Sequence, residues 1–306
     1  MAHHHSHAPH AVSRKLIAAT AATSLFVILE LALGLYGRSL SLIGDALHNF
    51  TDALALVIAL VAVRLERRPP TDEKSFGYQR AGILAAFINA GTLVAFTAFL
   101  FVEAVNRFRH PQPVNSGVMM IAAAIAVVLN GAITLALRHE GRHDVNIRSA
   151  VLHMLGDAFS AAGIIVAAVL IRTTGAAYWD PAVSIAIGLL ILWSSWGVLK
   201  EAVNLLLEGT PSGIDPAAVT RSLEAIPGVH GVHHLHIWAL GPSSPALSCH
   251  LMVGDVPIRS TSSVLDQITE MLHDDYHIVH TTVQFEFAQC RDDDPYCIPW
   301  GVKKSN

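Results

Sequence analysis

Six stretches of this 306-residue chain are long and nearly free of charge: 16–36, 40–63, 82–105, 114–137, 149–171 and 178–200. A helix needs roughly 20 mostly apolar residues to cross the hydrocarbon core of a bilayer. There, each backbone polar group must find its partner inside the segment. The six stretches therefore predict a membrane α-helical fold with six transmembrane helices. Composition agrees, with 52% hydrophobic and 14% charged residues and a mean hydropathy of +0.46; soluble chains carry about a quarter charged residues. A disordered protein, a nucleic-acid binder and a disulfide scaffold are excluded on the same grounds.

Lys and Arg in the short connections set the expected orientation. Arg14 and Lys15 precede the first stretch, Arg64, Arg67, Arg68, Lys74 and Arg80 follow the second, and Arg138, Arg142 and Arg148 follow the fourth. The other connections hold only Arg38, Arg107, Arg109 and Arg172. Both termini are thus expected in the cytoplasm. No secretory signal is read before the first span. The His-rich start, MAHHHSHAPH, fits a metal-binding tail or an affinity-tag remnant equally well.

Past Leu205-Leu206-Leu207-Glu208-Gly209-Thr210-Pro211 the pattern changes and the charge turns acidic. Helices are expected at 215–226 and 261–275, and strands at 233–240, 246–253 and 280–288, with Gly241-Pro242 between the first two strands. That α-β-β-α-β order describes a small two-layer module. The expected organisation is a His-rich tail at 1–13, a six-helix domain at 14–208, a cytosolic module at 209–290 and a loose tail at 291–306. Cys249, Cys290 and Cys297 all fall in the cytosolic part, where disulfides are rare. Cys290 and Cys297 stand too far apart for a zinc knuckle.

Histidine is over-represented, 18 residues against 20 Lys plus Arg. The second span holds His48 and Asp52, and the fifth holds His153 and Asp157; both are His-x-x-x-Asp. On a helix, i and i+4 share one face. Two such faces packed together offer two imidazoles and two carboxylates. That set suits tetrahedral Zn²⁺, and its two negative charges balance a divalent ion. Asp45 lies on the same stripe. It is read as a boundary residue near the extracytoplasmic end, with an outer-shell role as the alternative. Asn49, Asn89 and Asn130 are expected to hydrogen-bond between helices, and Glu30 and Glu103 to serve as pathway or packing groups.

The His48/Asp52 and His153/Asp157 pairs, SFGYQRAGILAAFINA, WDPAVSIAIGLLIL, LLLEGTP, GVHHLHIWAL and HTTVQFE occur in order from about Ser13 to Glu286. Together they resemble the cation diffusion facilitator family, and most of all its bacterial zinc exporters with a His-Asp/His-Asp transport site. The resemblance implies six membrane helices, a ferredoxin-like cytosolic domain, a homodimer and exchange of Zn²⁺ for protons by alternating access. It implies residence in the plasma (inner) membrane. It also implies a cytosolic, regulatory zinc site at His233, His250 and Glu286, with His280 as a further candidate. His234, His236, His273 and His277 are read as polar bystanders. Gln284 stands where some relatives carry a ligating His, so a binuclear site is not expected, and the His-free PPTDEKSF loop implies no loop site. Arg80 and Glu208 match positions that interlock in relatives, which implies a coupling pair.

His48 in place of an aspartate disfavours oxygen-preferring ions such as Mn²⁺, while Cd²⁺, Co²⁺ and Ni²⁺ remain secondary cargo. An intramembrane metal-dependent hydrolase is the enzyme-class alternative, but four filled ligands suit carriage better than hydrolysis, which needs an open coordination position. A metal sensor without flux is the other alternative.

Overall fold

The computed structural model describes residues 14–137 and 145–287. Its elements are α1 (Arg14–Gly37), α2 (Leu40–Glu66), α3 (Ala81–Arg109), α4 (Ser116–Leu137), α5 (Val145–Thr174), α6 (Trp179–Leu206), α7 (Pro216–Glu224), β1 (Val229–Gly241), β2 (Ser244–Val253), α8 (Ile258–Tyr276) and β3 (His280–Glu286). Among the described residues five helices, α2 to α6, are long and apolar enough to cross a membrane. The side chains described in α1, Thr23–Gly37, form a shorter apolar segment. The His-rich start, Arg138, Arg142, Cys290, Cys297 and the tail at 291–306 lie outside the described residues.

The chain divides into two compact units, one of residues up to Leu56 with Asn89–Trp196, the other of Val57–Ile88 with Gly197 onward. The first is packed inside out. Its interior is rich in alanine, with Ala122, Ala123, Ala126, Ala161, Ala167 and Ala168 fully buried, while Leu25, Val102, Val128 and Trp193 point outward. Lipid is as apolar as leucine, so helices associate through small residues that let their backbones approach. Gly188 shows how tight this is: a Cβ there would lie 2.6 Å from the ring of Phe101 on α3.

A buried polar network joins three helices of this unit. The α1–α2 reversal turns on Arg38, at φ 52°. It is pinned by Asp180, a wholly buried carboxylate in the first turn of α6. Asp180 accepts hydrogen bonds from the amides of Leu40 (2.6 Å) and Ser41 (3.1 Å) and from the hydroxyls of Ser39 (2.8 Å) and Ser41 (2.6 Å). One carboxylate thereby complements the positive amino ends of two helices, its own and that of α2. Arg107 of α3 supplies the counter-charge, donating to Asp180 at 3.4 Å, to Glu103 at 3.0 Å and to the Arg38 carbonyl at 2.6 Å.

The second unit contains the α/β module. Asp215 caps α7 by accepting the Ala217 amide at 3.0 Å, with Pro216 pre-set for the first helical position. The sheet order is β1-β2-β3; β2 runs antiparallel to β1 and parallel to β3. The parallel pair needs a crossover, which α8 provides. Val219 and Leu223 of α7, Leu247 and Leu251 of β2, and Ile268 and Leu272 of α8 form its core. The helix at 261–275 starts three residues earlier than the pattern implies and ends at His277, whose left-handed φ of 57° lets its amide and that of Ile278 close the last turn.

Asp180→Ala strips the acceptor from four hydrogen bonds and leaves Arg107 partly unpaired. Breaking a buried charge pair typically costs about 3–5 kcal/mol. The variant is expected to show a clearly lower thermal midpoint in detergent, whereas Glu103→Gln, at the exposed rim of the same network, changes it little.

Candidate metal centres

α2 and α5 lie antiparallel, and their polar residues face each other as rungs. His153 Nε2 of α5 stands 3.2 Å from Asp52 Oδ2 of α2, and His48 Nε2 of α2 stands 3.9 Å from Asp157 Oδ1 of α5. Within each helix the His and Asp lie one turn apart, with 3.6 Å between His48 Nε2 and Asp52 Oδ2 and between His153 Nε2 and Asp157 Oδ2. These four separations of 3.2–3.9 Å are close to the ligand–ligand spacing of a tetrahedral Zn²⁺ site, about 3.3 Å for bonds of about 2.0–2.1 Å; one ligand atom each of His48, Asp52 and His153 lies within 4.8 Å of the others, and Asp157 flanks them through both its oxygens. Asp157 is buried, His48 and Asp52 are partly buried, and His153 is exposed. Asp52 Oδ2 and Asp157 Oδ2 are buried without a hydrogen-bond partner. Buried polar atoms are nearly always satisfied, so these orphans fit a cation as the missing partner.

A third rung continues the ladder. Asp45, one turn before His48, accepts the hydroxyl of Ser160, one turn after Asp157, at 2.7 Å. The stripe position of Asp45 suggested a boundary residue; the structure buries it to 1% exposure in the helix packing. Glu30 of α1 is fully buried and accepts the Asn49 side-chain amide at 3.4 Å, one of the inter-helix bonds expected of the asparagines.

In the α/β module, Glu286 on β3 joins two imidazoles. Its Oε2 lies 3.0 Å from His233 Nε2 on β1, and its Oε1 lies 2.9 Å from His250 Nδ1 on β2. His233 and His250 are register partners across the β1–β2 ladder, and Met252 pairs with Glu286 across the next. His234, expected to be a bystander, belongs to this cluster. Its ring stacks on His250, centroids 4.5 Å apart, and one nitrogen of each of His233, His234 and His250 falls within 4.8 Å of the others. Alternation along a strand would send adjacent residues to opposite faces. The register slips between His233 and His236, and His234 adopts φ 52°, which turns both rings to one side. Burial, then the neighbouring His250 and His233, hold the His234 pKa below the ordinary histidine value. Its Nε2 is buried without a partner, leaving a neutral ring as a candidate ligand.

His280 is not in the cluster. It begins β3, opposite Ala246, with its ring edge-on to Phe76 at 5.4 Å, whereas Glu286 is at the other end of the strand. Gln284 donates to Glu286 at 2.7 Å and so orients the carboxylate. Arg80 and Glu208 meet at 3.1 Å. Glu208, just past α6, takes φ 61°. Both side chains are exposed, so the pair contributes about 1 kcal/mol or less to stability.

A family model described as the cation efflux transmembrane domain matches residues 16–207, and one described as the cation efflux protein, cytoplasmic domain, matches residues 211–288. The chain belongs to the cation efflux family, also called the cation diffusion facilitators. It is 43% identical over 296 residues to "Zinc transporter ZitB" of Pectobacterium atrosepticum, covering 96% of this chain and 91% of that one. It is 38% identical to "Metal cation efflux system protein CzcD" of Cupriavidus metallidurans, covering 95% and 92%. It is 34% identical to the "Cadmium, cobalt and zinc/H(+)-K(+) antiporter" of Bacillus velezensis, covering 94% and 93%. The protein is thus an integral membrane metal transporter rather than an enzyme, with a small cytoplasmic α/β domain.

Cys249 on β2 is buried, which pushes its thiol up to about 12. Attack requires the thiolate. With Cys290 and Cys297 replaced by serine, the folded protein is expected to resist iodoacetamide at pH 8 and to react once denatured, as read by intact mass.

Proposed function

We propose that this protein is a Zn²⁺ exporter of the inner membrane that works as a Zn²⁺/H⁺ antiporter. The observation that carries the reading is the spacing of His48, Asp52, His153 and Asp157, which approximates the edges of a tetrahedral zinc site within the membrane-crossing helices. The names of the relatives support the cargo: zinc for one, and zinc, cadmium and cobalt with protons and potassium for another. Zn²⁺ ranks first, with Cd²⁺, Co²⁺ and Ni²⁺ as secondary cargo, since ligand type alone does not fix selectivity.

Binding needs neutral His48 and His153 and ionised Asp52 and Asp157. Protons therefore compete with metal for the same atoms. Zn²⁺ taken up from the cytoplasm is released outward as protons occupy the ligands, and the protonated site returns inward. The reading includes six spans, with α1 as the first, both termini cytoplasmic, and a homodimer of chains with ferredoxin-like cytosolic domains. The organisation is a His-rich tail at 1–13, a transmembrane domain at 14–208, the cytosolic domain at 209–290 and a C-terminal tail. His233, His250 and Glu286, joined by His234, form a regulatory zinc site. They offer three imidazoles and a carboxylate, the ligand types Zn²⁺ takes in tetrahedral sites. Arg80 and Glu208 couple the end of α6 to the start of α3 in response.

In proteoliposomes, Asp157→Ala is expected to abolish Zn²⁺ flux, while Glu286→Ala keeps flux and changes only its dependence on cytoplasmic-side Zn²⁺. Each Zn²⁺ entering the vesicle should expel protons, and flux should rise when the lumen is acidified. Zn²⁺ movement without any counter-movement of protons would refute the antiport. Zn²⁺ binding with no flux would instead identify a sensor.

A further inference from the structure

The ligands of the transport site sit on two separate helices, so their spacing depends on how α2 and α5 slide past each other. A shift of one residue along a helix moves a side chain by about 1.5 Å and rotates it by about 100°. Ligand distances in a metal site tolerate only about 0.2 Å. Something other than the metal must hold the register when the site is empty. The two rungs that carry ligands exchange their mutual contacts for the ion when it binds, so a register common to the empty and filled site needs a separate contact.

Among the described residues, Asp45 and Ser160 make an α2–α5 rung that contains no proposed ligand. Asp45 precedes His48 by three residues and Ser160 follows Asp157 by three, so the rung continues the same antiparallel step. The bond is short, 2.7 Å from the Ser160 hydroxyl to Asp45 Oδ1, and Asp45 is withdrawn from water. The interior offers the donor no competing water. The register is also defined from one side only: Asp180 anchors the start of α2 to α6, but it does not touch α5.

We propose that Asp45, through Ser160, is a positioning residue that locks α2 and α5 in register, and that this lock makes the site selective for a small tetrahedral ion over a larger one. The inference rests on the transport-site assignment above. Asp45 acts by holding His48 and Asp52 opposite Asp157 and His153, without binding the transported ion. Without the rung the two faces adapt to the ion offered, so Zn²⁺ loses its advantage over the larger Cd²⁺.

The test is initial-rate transport of Zn²⁺ and of Cd²⁺ in proteoliposomes, with reconstituted protein quantified for each variant. Ser160→Ala removes only the donor. It is expected to raise the Zn²⁺ KM about tenfold, the scale on which supporting partners of metal ligands act. It should leave maximal flux within about twofold and shrink the Zn²⁺/Cd²⁺ preference. Ser160→Thr keeps the hydroxyl and Asp45→Asn keeps an acceptor, so both should restore most of the KM. Asp45→Ala combined with Ser160→Ala should be no worse than either alone, as for a single shared interaction. A Ser160→Ala protein with unchanged Zn²⁺ KM and unchanged Zn²⁺/Cd²⁺ preference overturns the proposal, as does a simple loss of folded protein with unaltered KM. Asp52→Ala serves as the separate control. If it transports Zn²⁺ with the wild-type KM, the site assignment fails, whatever the rung does.

Discussion

Two carboxylates and two imidazoles are placed where lipid surrounds the helices and little water reaches. Ionisable groups at that depth are costly and must find partners. The helices therefore arrange themselves around them. α2 and α5 turn their ionisable faces to each other, because the alternative is to show those faces to hydrocarbon. The alanines of α4 and α5 make the close approach possible, and the large apolar residues are left to face outward. On the proposed reading a divalent cation would complete the set, neutralising the two carboxylates and accepting each nitrogen lone pair, and protons would compete for the same atoms.

The polar groups near this centre differ in how much freedom they leave. Asp180 is saturated by two amides, two hydroxyls and a guanidinium, so its position is over-determined. Asp45 and Glu30 are buried but each keeps one oxygen without a partner. Asp180 leaves no acceptor free, whereas Asp45 holds Ser160 with one oxygen and leaves the other open to its surroundings. In the cytosolic module the corresponding division is between the apolar core under the sheet and the imidazole cluster that crosses β1, β2 and β3, where Glu286 bridges two rings.

Much of this was legible in the residue pattern. Apolar length identified the five helices, α2 to α6, that are long enough to cross a membrane, and spacing of i to i+4 put His48 with Asp52 and His153 with Asp157 on single faces. The α-β-β-α-β order followed from periodicity and turn residues. Three things were not legible. The place of His234 depends on a bulge, and a strand's alternation argues against it. The separation of His280 from Glu286 depends on their lying at opposite ends of β3, which the family pattern of nearby histidines obscured. The clamps made by Asp180 on the α1–α2 reversal, and by Ser160 on Asp45, join residues more than a hundred positions apart. No local pattern announces a partner at that distance. Asp45 itself was visible on the right stripe, but burial decides its role, and burial is a property of the packed bundle.

The clamp at Asp180 also has a mechanical side. α2 is 27 residues long, about 40 Å at 1.5 Å per residue, and it is tethered at its first turn. His48 lies about 12 Å along the helix from that tether. Within its own unit, which takes in α2 as far as Leu56, a rod held at one end is a lever, and a small tilt moves Leu56 about twice as far as it moves His48. A push applied at Leu56 reaches His48 reduced in amplitude and increased in force.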